Sequence, residues 1–145
     1  MHFITGGAFN GKRNWVKEFY KLSDLNEYLW ISAYENNREK LDWTDTNHFC
    51  KLTIIEGIEQ YFYEWTKNSN WKKKWDELLE KWQIWESLNT AHTLIVIGTD
   101  ITKGVVPIDK KHREWRDITG WCYQELVNMS NRVDVIWYGI NERIK

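Results

Sequence analysis

The chain has a single proline, Pro107, and two cysteines, Cys50 and Cys122, among 145 residues. Two cysteines without metal-ligand spacing exclude a disulfide scaffold and fit a reducing compartment. Charge of one sign is also missing: 20 Lys and Arg against 21 Asp and Glu leave a net charge of −1. That removes the electrostatic footprint of a nucleic-acid or anionic-membrane binder. No apolar run reaches the length of about 18 residues that a membrane span requires, and no secretory leader is read at the start. A soluble, cytoplasmic protein is expected, without nucleic acid or membrane as partner. Linkers, repeats and low-complexity tracts are absent, so residues 1–145 read as one domain.

Tryptophan, by contrast, is abundant, with 11 residues. Trp71, Trp75, Leu78, Trp82 and Trp85 recur at four, three, four and three residues. That is one apolar stripe on a helix over Asn70–Ser87, and it favours core or subunit packing over ligand binding. Further helices are expected over Lys12–Leu22, Ile58–Lys67 and Lys110–Asn131. Five β-like runs alternate with them: His2–Thr5, Leu29–Ala33, Leu52–Glu56, Thr93–Gly98 and Val133–Gly139. Most are continuously apolar, as strands buried on both faces of a parallel sheet are. The expected fold is an α/β three-layer sandwich with a mostly parallel sheet of at least five strands.

The most informative stretch is Thr5-Gly6-Gly7-Ala8-Phe9-Asn10-Gly11-Lys12-Arg13. It follows the first apolar run and opens the first helix. Gly6 to Lys12 has the Gly-x-x-x-x-Gly-Lys frame of a phosphate-binding P-loop, so a P-loop NTPase-like fold is expected. In such a loop the backbone N–H groups from Gly6 through Gly7, Ala8, Asn10 and Gly11 surround an anion, and Lys12 reaches the β- and γ-phosphates of a nucleoside triphosphate. Arg13 stands where a Ser or Thr hydroxyl would hold Mg²⁺. It is expected to weaken the metal and to offer itself to phosphate oxygens. The alternative is a glycine-rich turn with no ligand. Glu56 and Asp100 end two apolar strands, where ligands gather in open parallel sheets. Glu56 has the Walker-B position for Mg²⁺, and an ordinary helix-capping carboxylate is its alternative. Arg113 and Arg116 share a helix face and read as a phosphate clamp or as a surface paired with Glu114 and Asp117.

These motifs resemble the adenosylcobinamide kinase/adenosylcobinamide-phosphate guanylyltransferase family. Phe3-Ile4-Thr5-Gly6-Gly7-Ala8-x-x-Gly11-Lys12 is similar to its opening, Leu29-Trp30-Ile31-Ser32-Ala33 to its second strand and Ile54-Ile55-Glu56-Gly57 to its third. Asp100-x-x-x-Gly104-Val105-Val106-Pro107 resembles Glu-Val-Gly-x-Gly-Ile-Val-Pro. Arg113-x-Trp115-Arg116-Asp117-x-x-Gly120-x-x-Tyr123-Gln124 resembles Arg-x-Phe-Arg-Asp-x-x-Gly-x-x-Asn-Gln. Gly139-Ile140-x-x-x-Ile144-Lys145 matches the usual ending.

The resemblance implies ATP or GTP with Mg²⁺ as cofactors and adenosylcobinamide as partner. Its aminopropanol hydroxyl would be phosphorylated by a site using Lys12, Glu56 and Asp100. It further implies a homo-oligomer, a trimer. The family's guanylylated histidine lies after the second strand. Residues 34–43 hold no histidine and the region is short. Guanylyl transfer needs that imidazole nucleophile, so its loss is expected. Two further readings stand beside the kinase. One is a degenerate nucleotide- or corrinoid-binding module acting through partners. The other is an assembly protein built on the tryptophan stripe.

Overall fold

In a computed structural model, residues 1–35, 42–67 and 70–145 are described. Six strands are β1 (His2–Thr5), β2 (Leu29–Ser32), β3 (Leu52–Glu56), β4 (Thr93–Ile97), β5 (Arg132–Trp137) and β6 (Ile140–Arg143). Four helices are α1 (Lys12–Phe19), α2 (Ile58–Trp65), α3 (Trp71–Ser87) and α4 (Lys110–Met129). The strands form one sheet in the order β2-β3-β4-β1-β5-β6. All neighbours are parallel except β5 and β6.

The period-two geometry of strands sorts their apolar side chains onto two faces. Phe3, Ile55, Leu94, Val96 and Val133 meet the side of the sheet covered by α2, α3 and α4. Ile4, Ile54, Ile95, Ile97 and Ile136 meet Val16 of α1 and Leu22 on the other side. The result is the expected three-layer α/β arrangement. The tryptophan stripe is core: Trp75, Trp82 and Trp85 are buried with Leu78, and Trp71 stacks on Trp121 of α4. Each fully buried side chain of this kind contributes about 2–3 kcal/mol of hydrophobic stabilisation.

Helix α1 ends earlier than expected. Tyr20 caps it, and Lys21 turns away at φ 49° before a short 3₁₀ turn over Leu22–Asp24. The sixth strand was not expected. Tyr138 and Gly139 both have positive φ (49° and 81°), a two-residue turn that folds β6 back antiparallel on β5. No helix among the described residues is long and apolar enough to cross a membrane.

Candidate functional site

The carboxyl ends of β1, β2, β3 and β4 lie along one edge of the sheet, and the glycine loop leaves from β1 there. Gly6 is irreplaceable by geometry: at φ 144° a Cβ would sit 2.2 Å from the Ile136 carbonyl oxygen. Gly11 caps α1 in the left-handed region (φ 85°). The β5–β6 turn braces the loop from below. Gly139 N–H donates to the Asn10 carbonyl at 2.8 Å, and Tyr138 N–H reaches the Asn10 Oδ1 at 3.4 Å. Lys12 curls back under the loop and donates to the carbonyls of Gly6 (3.1 Å) and Gly7 (2.7 Å). Its ammonium has three donors, so capacity for a further acceptor remains. Burial pushes its pKa below the usual lysine range, against the pull of Glu59, Glu56 and Asp100.

Arg13, in the first turn of α1, turns toward the sheet. Its Nε donates to both oxygens of Glu56 (2.9 and 3.0 Å), and its Nη2 makes a further short bond to the same carboxylate. Nη2 also donates to Glu35 (2.9 Å) and to the Ser32 hydroxyl (3.2 Å). The indole N–H of Trp30 adds another bond to Glu56 at 2.9 Å. Burial alone would raise the Glu56 carboxyl. The hydrogen bonds from Arg13 and Trp30 and the guanidinium charge outweigh it and hold the group below the usual carboxylate range. These donors do not fit a magnesium ion. The hydroxyl ligand is replaced by a cation, and the Glu56 carboxylate is already engaged by Arg13 and Trp30.

A carboxylate that the sequence did not single out lies opposite. Glu59, in the first turn of α2, is buried and accepts from Thr99 N–H (2.9 Å), the Tyr123 hydroxyl (3.3 Å) and, in a short bond, the Tyr34 hydroxyl. Burial, followed by the Glu59 charge, pushes both phenols up. Gly98 makes this approach possible, since a Cβ there would lie 2.1 Å from the Tyr123 oxygen. An acid in a first helical turn ordinarily complements the helix dipole, so the sequence offered no separate signal for it.

A cavity of about 780 Å³ opens between these elements. Ala8, Asn10, Gly11, Lys12, Arg13 and Glu56 line it, with Glu59 and Tyr34 on the far wall and Ile97 and Ile101 as apolar surface. Its size suits a ligand as large as a nucleotide. Gly6 and Gly7 lie behind this lining and receive Lys12. Asp100 stands beside it, with its carboxylate accepting from Thr102 N–H (3.0 Å) and hydroxyl (2.6 Å). Burial would raise that carboxyl, but these bonds and Lys103 hold it down.

Arg113 and Arg116 are not among the residues that line the cavity, and among the described residues they meet backbone carbonyls rather than Glu114 or Asp117. Arg113 donates to the carbonyls of Pro107 (3.1 Å) and Ile108, and Arg116 to those of Gly104 (3.4 Å) and Val105 (3.3 Å). They pin the 104–108 turn to α4. Among the described residues no histidine lines the cavity: His92 stacks on Trp85 and His112 on Tyr63, and His48 pairs with Asp45. Residues 36–41 of the segment expected to hold the guanylylated histidine lie outside the described residues.

Comparison with protein families matches residues 47–144 to a model described as cobinamide kinase / cobinamide phosphate guanyltransferase. The chain belongs to this cobinamide kinase/guanyltransferase family. Curated proteins give no match. The family's activities belong to cobalamin biosynthesis and act on cobinamide and its phosphate. The matched span begins beyond the glycine loop. It takes in Glu56, Glu59, Asp100 and the 104–108 turn with its two arginines, so those residues lie within the shared framework of the cobinamide kinase/guanyltransferase family.

Proposed function

We propose that the chain binds ATP or GTP with its phosphates on the Gly6–Lys12 loop and phosphorylates the aminopropanol hydroxyl of adenosylcobinamide. The observation that carries this is the cavity of about 780 Å³ bounded by the glycine loop and Lys12 in a member of the cobinamide kinase/guanyltransferase family. In the step, the alcohol oxygen bonds to the γ-phosphorus and the bond to the β–γ bridging oxygen breaks. The diphosphate leaves with that oxygen, and the alcohol proton passes to a wall carboxylate, for which Glu59 is the candidate. Lys12 neutralises charge on the transferred group. Such transfer asks the protein mainly for positioning, which a loop braced by β5 and β6 supplies. The guanylyl half of the family's chemistry is absent from this reading, because no histidine lies in residues 34–43.

One observation favours a second reading, a nucleotide-holding module without turnover: the Arg13–Glu56 pair takes up the strand-end carboxylate. Incubation with ATP or GTP and adenosylcobinamide, with product read by mass, separates the two. Cobinamide phosphate is the expected product. Nucleotide binding by calorimetry without product would leave the module. Absence of both would remove the nucleotide site altogether.

A further inference from the structure

The Arg13–Glu56 contact is unlike a surface ion pair. It joins the first turn of α1 to the end of β3, its carboxylate is buried, and a third donor, the Trp30 indole, closes it. The guanidinium also meets Glu35 and Ser32 and lies 5.5 Å from the centre of the Trp30 ring. Among the described residues these bonds use Nε and Nη2, and none uses Nη1. Arg13 lines the cavity together with Lys12.

In a nucleotide site a divalent cation bridges phosphate oxygens to a strand-end carboxylate. A guanidinium can make the same bridge, because its planar fork grips a carboxylate along one edge and keeps donors for phosphate on another. We infer that Arg13 takes the bridging place of the divalent cation, so that this site accepts a nucleoside triphosphate in its metal-free form. The inference rests on the proposal that the cavity is a nucleotide site. The electrostatics agree with it. A metal approaching Glu56 meets a fixed positive charge, whereas a triphosphate without its metal carries more negative charge to Lys12 and Arg13.

Calorimetric titration of the purified chain with ATP and with GTP, in EDTA and in excess Mg²⁺, tests this directly. Binding in EDTA is expected to be at least as tight as in Mg²⁺. Binding tightened tenfold or more by Mg²⁺ would overturn the inference and leave the nucleotide site standing. No binding in either buffer would overturn both. Arg13→Ser restores a hydroxyl and frees Glu56. It is expected to lose at least tenfold in EDTA and to regain affinity with Mg²⁺, and an unchanged affinity in EDTA would count against the inference. The wild-type titration decides the matter even if that variant folds poorly.

Discussion

Removing either partner of the Arg13–Glu56 pair is expected to destabilise the fold unequally. The Glu56 side chain is 8% exposed and that of Arg13 is 38% exposed. Arg13→Ala leaves a buried carboxylate with the Trp30 N–H as its remaining strong donor. At about 4 Å and an effective dielectric constant of about 20, the lost attraction is about 4 kcal/mol before any compensation. Breaking a fully buried pair costs about 3–5 kcal/mol, and water reaching the vacated guanidinium space lowers this to about 2 kcal/mol. Glu56→Gln keeps an acceptor for Arg13 and Trp30, and the guanidinium keeps Glu35, Ser32 and solvent. About 1 kcal/mol is expected there. The pH dependence separates the mechanism from mere loss of packing. In the wild type Glu56 titrates below its ordinary 4.5, so its contribution is present above that pH and is lost as the pH falls through the depressed value. In Arg13→Ala burial acts without the guanidinium, the carboxyl titrates higher than in the wild type, and the penalty shrinks as acid protonates it. Urea unfolding followed by far-UV circular dichroism at pH 7.5 and 4.5 reads both effects. Equal costs for the two variants, or a penalty for Arg13→Ala that does not shrink at pH 4.5, would refute the reasoning.

Three further outcomes are expected. Gly6→Ala drives a methyl into the Ile136 carbonyl at a φ of 144°, and thermal unfolding should report a loss of at least about 3 kcal/mol, or no folded protein. Trp82→Ala should cost about 3–5 kcal/mol, whereas Trp82→Phe should cost under about 1.5 kcal/mol, because the buried indole N–H of Trp82 has no hydrogen-bond partner among the described residues; denaturant midpoints compare them. His2 is buried between Tyr20 and Asp134, and burial lowers its pKa from 6.5 despite the Asp134 bond and charge, with Arg132 also opposing protonation. Its favourable contribution is therefore present above pH 6.5 and is lost as the pH falls below it. Unfolding free energies measured from pH 7.5 to 5 should decline in the wild type and stay flatter in His2→Gln.

The strands were legible because burial on both faces leaves continuous apolar runs. His2–Thr5 and Leu52–Glu56 match their observed limits, and Thr93–Gly98 differs from the observed end by one residue. Strand β6 escaped because Ile140–Arg143 is exposed on every residue and carries no apolar pattern, and Tyr138-Gly139 lacks the usual Asn or Asp of such a turn. At the site, the glycine loop, Lys12, Arg13 and Glu56 were readable from spacing and strand ends. The bond between Arg13 and Glu56 was not, since its partners lie 43 residues apart and the pairing of β3 and β1 on either side of β4, with the turn into α1, brings them together. Arg113 and Arg116 take partners that spacing did not show. Spacing put them on one helix face, but the carbonyls that occupy them belong to a loop whose path the sequence did not reveal.

The bracing of the glycine loop by the β5–β6 turn also has a consequence for biosynthesis. Strand β1 leaves the ribosome before β4 and β5, yet it lies between them, and its loop rests on Ile136 and Gly139. Sheet pairing over more than a hundred residues must therefore precede the final shape of the loop, because long-range pairing is slow to form. A nascent chain that has not yet extruded β5 has Gly6 and Gly11 in place but nothing beneath them. Competence of the loop is thus timed to the appearance of β5 and the β5–β6 turn rather than to the appearance of its own residues.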